Sequence, residues 1–266
     1  MVKFPLANPI RFYNPDSADY RDVFPNTDNY VHRVKQIEGV HPVQYYKDFL
    51  INKLVVFQVR MSDVTEANIN LLKPDGTIEE LSPTDITPTG WTSESVYKYS
   101  FTPTAEGIYY LKHLESEYES DYIYVQEREK FRRRLVKIEY YNSENDYGMI
   151  FNNNGELIFS CETYFTGRLK NGEPKNELSA FTSDRGNLEI LRGTPIRTAV
   201  LELAEIHFTY VDSVNLIFSC DNIKINGLRY QSQEVPKVEE IEKTDLVNIV
   251  VNLSLIDNDY FVKEIS

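Results

Sequence analysis

Val96-Tyr97-Lys98-Tyr99-Ser100-Phe101 and Ile108-Tyr109-Tyr110-Leu111-Lys112-His113-Leu114, joined by Thr102-Pro103-Thr104-Ala105-Glu106-Gly107, decide the fold class. Both runs alternate with period two, as half-buried strands do, and the link between them is rich in turn residues. Working outward, Asp121 to Val125 follows as another strand, and Leu54 to Arg60 and Ala67 to Leu72 precede. Lys73-Pro74-Asp75-Gly76-Thr77 then reverses the chain into Thr77 to Leu81. Pro presets φ there, Asp tolerates the turn and Gly accepts a positive φ. Short strands at this spacing predict a β-sandwich of immunoglobulin-like type over residues 44–126. The loop from Ser82 to Ser95 holds Trp91, the only tryptophan, which either folds back over the core or offers a platform to a sugar ring.

Beyond the sandwich, residues 127–135 form a charged junction in which Arg128, Lys130, Arg132, Arg133 and Arg134 stand against an acidic background. They read as a solvated linker or short helix, or as an electrostatic contact with an acidic neighbouring subunit. Residues 136–266 return to strand patterns and form a second β-rich domain. Asn152-Asn153-Asn154-Gly155 and Asn226-Gly227 are its tight turns, and Gly167 to Asn176 reads as an exposed excursion. Thr194 to Glu205, with Pro195 at a first-turn position, is a helix candidate or a strand. Val214 to Ser219 reads as a strand. Leu157 to Glu162 (LIFSCE) echoes Leu216 to Asp221 (LIFSCD), which predicts two similar core strands or a duplicated half-domain. Their cysteines, Cys161 and Cys220, are expected as reduced core thiols, joined only if the two strands are neighbours. The class is all-β with minor α.

Before the sandwich, residues 1–43 carry Pro5, Pro9, Pro15 and Pro25 among Phe4, Phe12, Tyr13, Tyr20, Phe24 and Tyr30. Prolines at this density forbid a regular helix and favour extended backbone. So many large rings are not the composition of a disordered linker, because they have apolar surface to bury. The segment is expected as an extended arm lying on a surface, either its own domain's or a neighbouring subunit's, and Phe4, Phe12, Tyr13, Tyr20 and Phe24 are expected to bury most of their surface against another subunit.

Composition narrows the function further. With 41% hydrophobic and 26% charged residues the chain is of ordinary globular type, and its 13% aromatics lean towards sheet. A net charge of −13 argues against a nucleic-acid surface. No stretch has the length and apolarity of a signal peptide or a membrane span, so neither export nor a membrane partner is expected. His32, His41, His113 and His207 are scattered, the cysteines lack zinc spacing, and no phosphate loop or nucleophile elbow occurs. Asp16, Asp19, Asp22 and Asp257-Asn258-Asp259 lack the glycine and distal glutamate of a calcium loop. No cofactor, metal or catalytic residue is expected.

Pro5 to Asn14 (PLANPIRFYN), the segment to Val125, Ser183-Asp184-Arg185-Gly186 and Ser219 to Gly227 together resemble virion structural proteins of tailed bacteriophages infecting Bacteroidetes, including crAss-like phages. The resemblance implies a virion protein assembled in the host cytoplasm. It would be a tail, collar or baseplate component, close to the portal, that forms an oligomeric ring and contacts other tail or portal proteins. Arm residues Phe4, Phe12, Tyr13, Tyr20 and Phe24 and junction residues Arg132, Arg133 and Arg134 would be its inter-subunit contacts. Rings built from head-to-tail contacts suit such arms. A carbohydrate- or receptor-binding sandwich is the competing reading, and a polysaccharide-degrading enzyme a third.

Overall fold

The structure is a computed structural model of the chain. It describes residues 2–13, 46–62, 68–113, 118–130, 135–145, 148–153, 155–173, 175–182, 188–242, 244 and 246–256, and side chains are outside that description at 13, 46, 175–182 and 188–196. Among the described residues it is mostly strand, with one short α-helix.

The first strands are β1 (Val2–Lys3), β2 (Phe12–Tyr13), β3 (Tyr46–Leu50), β4 (Val55–Met61), β5 (Ile69–Leu72) and β6 (Ile78–Leu81). They are followed by β7 (Thr84–Asp85), β8 (Ser95–Phe101), β9 (Gly107–His113), β10 (Glu119–Ser120) and β11 (Tyr122–Gln126). One sheet runs β1-β4-β8-β7, and the other runs β2-β10-β9-β11-β3 with β5 and β6 attached through β9. β3 lies parallel to β11, from Tyr46 opposite Tyr122 to Leu50 opposite Gln126. The alternation of the deciding stretch is realised in the core. Tyr99 and Phe101 of β8 and Tyr109 and Leu111 of β9 are buried with Phe57, Val59, Ile69, Ile123 and Val125 from the two sheets. Phe57 stacks on Tyr99 at 5.3 Å between ring centroids. The Pro-Asp-Gly turn forms as read: Gly76 has φ 81°, and the Thr77 amide and hydroxyl both donate to Asp75.

The remaining strands are β12 (Leu135–Tyr141), β13 (Asn152–Asn153), β14 (Glu156–Leu157), β15 (Cys161–Asn171), β16 (Lys175–Thr182), β17 (Leu188–Ile196) and β18 (Thr198–His207). After helix α1 (Val211–Ser219) come β19 (Asn222–Ile225), β20 (Leu228–Ser232), β21 (Lys237–Glu240) and β22 (Leu246–Leu255). Antiparallel ladders connect β18, β15, β12, β19, β20 and β22 in turn, and β22 pairs back with β18, so the sheet closes into a barrel. Closure removes the open edges that a sheet otherwise presents. The ladder between β18 and β22 shifts register between Leu203 and Ile206, where Glu205 takes φ 55°. Bulges of this kind bend a strand and help a sheet curl. Val136, Ile138, Leu201, Leu203, Ile249 and Val251 line the core, and α1 adds Val214, Ile217 and Phe218 to it.

Several sequence expectations change. Thr198–His207 is a strand, which settles the helix-or-strand alternative. The helix is instead Val211–Ser219, where a strand was read from Val214. Val214, Ile217 and Phe218 recur at helical spacing and are all buried, and Asp212 sits in the first turn, where it favours the helix dipole. Gly167 does not open a loop, because β15 continues unbroken to Asn171. The two echoing six-residue stretches therefore differ. Leu157 is exposed at the end of β14, whereas Leu216 lies inside α1. Cys161 and Cys220 are both buried in one core with no disulfide between them, and burial pushes the Cys161 thiol up.

Beyond the barrel, β16 and β17 continue β15 and β18 as a separate two-stranded sheet. Pro195 fits there, since proline within a sheet is confined to edges, and both strands of a lone pair are edges.

Candidate functional site

Residues 2–13 lie on the chain's own sheets, one of the two surfaces expected for the opening arm. They make a strap whose two ends enter different sandwich sheets, β1 pairing with β4 and β2 with β10. Its middle lies across the junction with the barrel. Ala7 belongs to the barrel core, and Val2, Ile10 and Phe12 to the sandwich core. Phe12 is 9% exposed and packs 5.4 Å from Phe57, so its own chain already buries the ring that was expected against a neighbour. Phe4 is partly buried, stacking on Phe12 at 4.0 Å and leaning on Tyr118 at 5.2 Å. Tyr13 pairs with Glu119 through its backbone. The Tyr13 side chain and the whole of Tyr20, Phe24, Arg132, Arg133 and Arg134 lie outside the described residues, as do Asp16, Asp19, Asp22, 183–187 and 257–266.

Polar contacts fix the strap in register. Asn8 Nδ2 donates to the Gln58 carbonyl at 2.8 Å, and the Gln58 amide donates back to Asn8 Oδ1 at 2.9 Å. The side chain of Gln58 repeats this exchange with the backbone of Ile150, at 2.7 and 2.9 Å, so one buried residue joins strap, sandwich and barrel side. The Tyr140 hydroxyl of β12 donates to the Ala7 carbonyl. Arg11 grips Asp121 with two parallel bonds, Nε to Oδ2 at 3.0 Å and a terminal nitrogen to Oδ1 at 2.8 Å. This fork is the strong geometry for an arginine–carboxylate pair. Tyr210, at the foot of α1, adds its hydroxyl to Asp121 Oδ2 at 2.8 Å. Asp121 is fully buried and so ties the strap, the sandwich and the barrel at one carboxylate.

Two further buried groups flank this knot. Lys47 of β3 donates Nζ to the Tyr164 carbonyl of β15 at 2.6 Å and lies over the Phe165 ring. Burial lowers its amine well below the ordinary lysine value, against the opposing pull of Asp48 and Asp121. His207 is fully buried, with Nδ1 2.8 Å from the Thr209 hydroxyl. Burial, with Arg11 nearby, holds its imidazole down at about 3. An unfolded histidine titrates near 6.5. Between those values the unfolded chain binds a proton that the folded chain does not, so this contribution is complete above pH 6.5 and declines as pH falls. The slope is up to about 1.4 kcal/mol per pH unit, or about 2 kcal/mol at pH 5. Urea midpoints at pH 7.5 and 5.0 should therefore differ less in His207→Gln than in the unmodified protein. An equal drop in both would remove His207 as the cause.

Other candidates are more ordinary. Trp91 is 40% exposed, with the Arg60 guanidinium 5.2 Å from its ring, and Arg60 pairs with Glu94 at 2.6 Å. At the junction, Lys130 pairs with Glu106 at 2.6 Å within the same chain. Among the described residues no group of His, Cys, Asp and Glu is placed to hold a metal ion, and no helix is long and apolar enough to cross a membrane. Sequence reading missed Asp121, Gln58, Lys47 and Tyr210. Arg11 and Asp121 are 110 positions apart, and neither carries a local signal. The chain matches no known protein-family model and no curated protein.

Proposed function

We propose that this chain is a non-enzymatic structural protein of a tailed-phage virion, one subunit of a ring in the tail, collar or baseplate. The observation that carries the reading is the β16–β17 hairpin. It leaves the barrel as a ladder from Lys175 opposite Ile196 to Thr182 opposite Leu188, with no third strand beside it among the described residues. A lone two-stranded hairpin is at best marginally stable in water, and its open edges are templates for another chain. A hairpin of this length is economical if a neighbouring subunit or tail protein covers it. The first domain supports the immunoglobulin-like part of the reading. Its strand order suits that sandwich, and the Tyr109 hydroxyl, on the strand after the Pro103 turn, bonds both the carbonyl and the amide of Ala105 at 2.9 and 3.1 Å. A tyrosine bonded back in this way is a hallmark of such domains.

Replacing residues 173–197 by Asn-Gly joins Gly172 to Thr198, which are already hydrogen-bonded across the barrel ladder. This variant is expected to stay folded by circular dichroism but to fall from a ring to smaller species in mass photometry. Rings of unchanged mass would remove the hairpin from the assembly. The alternative, a carbohydrate- or receptor-binding module, rests on the exposure of Trp91. It requires glycan-array binding that Trp91→Ala abolishes.

A further inference from the structure

We propose that the junction of strap, sandwich and barrel is an acid-opened latch, in which a proton on His207 releases Tyr210 and the strap while both cores stay folded. The latch belongs to the single chain and does not depend on the ring reading.

The first argument is the path from the imidazole to the strap. His207 ends β18 and caps the 3-10 turn Phe208–Tyr210 that leads into α1. Its Nδ1 accepts from the Thr209 amide at 3.4 Å and lies 2.8 Å from the Thr209 hydroxyl. Only a ring nitrogen without a proton accepts, so the neutral ring carries its proton on Nε2 and the next one goes to Nδ1. That proton turns the acceptor into a donor and removes the cap. Tyr210 closes the same turn and donates its hydroxyl to Asp121 Oδ2, the oxygen that also accepts from Arg11 Nε. Three residues therefore link the imidazole to the carboxylate that grips the strap.

Charge acts in the same direction. Arg11, Lys47 and His207 gather around Asp121, with Asp48 beside Lys47 in β3. The Arg11 guanidinium lies 5.7 Å and the Lys47 amine 5.4 Å from the Tyr210 ring centroid. Arg11 is the charge that bears on the His207 imidazole, and Leu246, opposite His207 on β22, brings none to offset it. A second positive charge beside Arg11 is repelled where solvent screens little. The strap is the element that yields, because its two ladders, β1 on β4 and β2 on β10, are each two residues long. Elements with few ladder bonds open locally before a core does.

The imidazole is held down at about 3 in the closed junction and titrates near 6.5 once water reaches it. Opening takes up a proton between those values, so the closed form is fully favoured above pH 6.5 and loses up to about tenfold per pH unit below it. Burial lowers the Lys47 amine as well, which biases the balance in the same sense.

Hydrogen exchange read by mass spectrometry tests this in the full-length protein, with labelling times scaled for the intrinsic effect of pH. Between pH 7.5 and 5.0, peptides from residues 2–12 are expected to open up to about 30-fold more, while β8 and β12 keep their protection. His207→Gln should remove most of that rise. His207→Asn, which keeps an acceptor close to Nδ1, serves if His207→Gln does not fold. A rise that persists undiminished in these variants would overturn the latch. In the unmodified protein alone, strap, β8 and β12 peptides rising together would overturn it, as would strap exchange that changes by less than about threefold.

Discussion

Asp121→Ala is expected to lower stability by about 3–5 kcal/mol, read as a shift in the urea midpoint, because it removes one partner of an ion pair whose carboxylate is fully buried. The carboxylate receives two bonds from Arg11 and one from Tyr210, and it is wholly shielded from water. Alanine removes all three acceptor contacts at once while the guanidinium stays in the junction. The size of the effect comes more from the loss of this acceptor beside a part-buried guanidinium than from the worth of the pair itself. Arg11→Met/Asp121→Leu, which removes both charges, should therefore be milder than Asp121→Ala alone. Salt should change the wild-type midpoint little through this pair, since buried pairs are weakly screened. A loss below about 1 kcal/mol in Asp121→Ala would mean that water reaches the site and that the knot is not what holds strap, sandwich and barrel together.

Gly107→Ala is expected to cost about 2–5 kcal/mol, combining backbone strain with overpacking. Gly107 has φ 133°, a region that residues with a Cβ rarely enter. A methyl group there would lie 2.7 Å from Cβ of Pro74 and 2.8 Å from its Cγ. Pro74 belongs to the turn joining β5 to β6, so relief of the clash would disturb the turn that the Pro-Asp-Gly signal builds. Adding Pro74→Gly should return the packing share and leave the backbone share, which a double-mutant cycle on thermal unfolding separates. A change within about 0.5 kcal/mol for Gly107→Ala alone would show that the β8–β9 link relaxes freely.

Much of this fold was legible residue by residue. Alternation in Val96 to Leu114 gave β8 and β9, because period two can bury only one face of a strand. The turns at Asp75-Gly76 and Asn226-Gly227 were equally readable, since positive φ selects Gly and Asn locally. The helix was misplaced because Leu-Ile-Phe-Ser-Cys has no preference of its own strong enough to decide. At 157–161 the stretch begins in the second strand of a hairpin and leads into β15, whereas at 216–220 it completes the buried face of α1 begun by Val214. The candidate site was less accessible still. The aromatic rings of the first residues announced a need for burial, but not where that burial is found.

The sequence by itself determined an all-β protein with minor helix, its principal turns, and an opening segment unable to form a helix and rich in rings that require cover. Each of these follows from interactions within a few residues: pleat, φ preference and the missing amide of proline. Only the tertiary structure decided that the barrel closes through β18 and β22. It alone brought Arg11, Asp121 and Tyr210 to one point and made the opening segment a strap in a groove. Those features depend on contacts between residues scores of positions apart, where the energy of a pair is set by burial and geometry rather than by spacing along the chain.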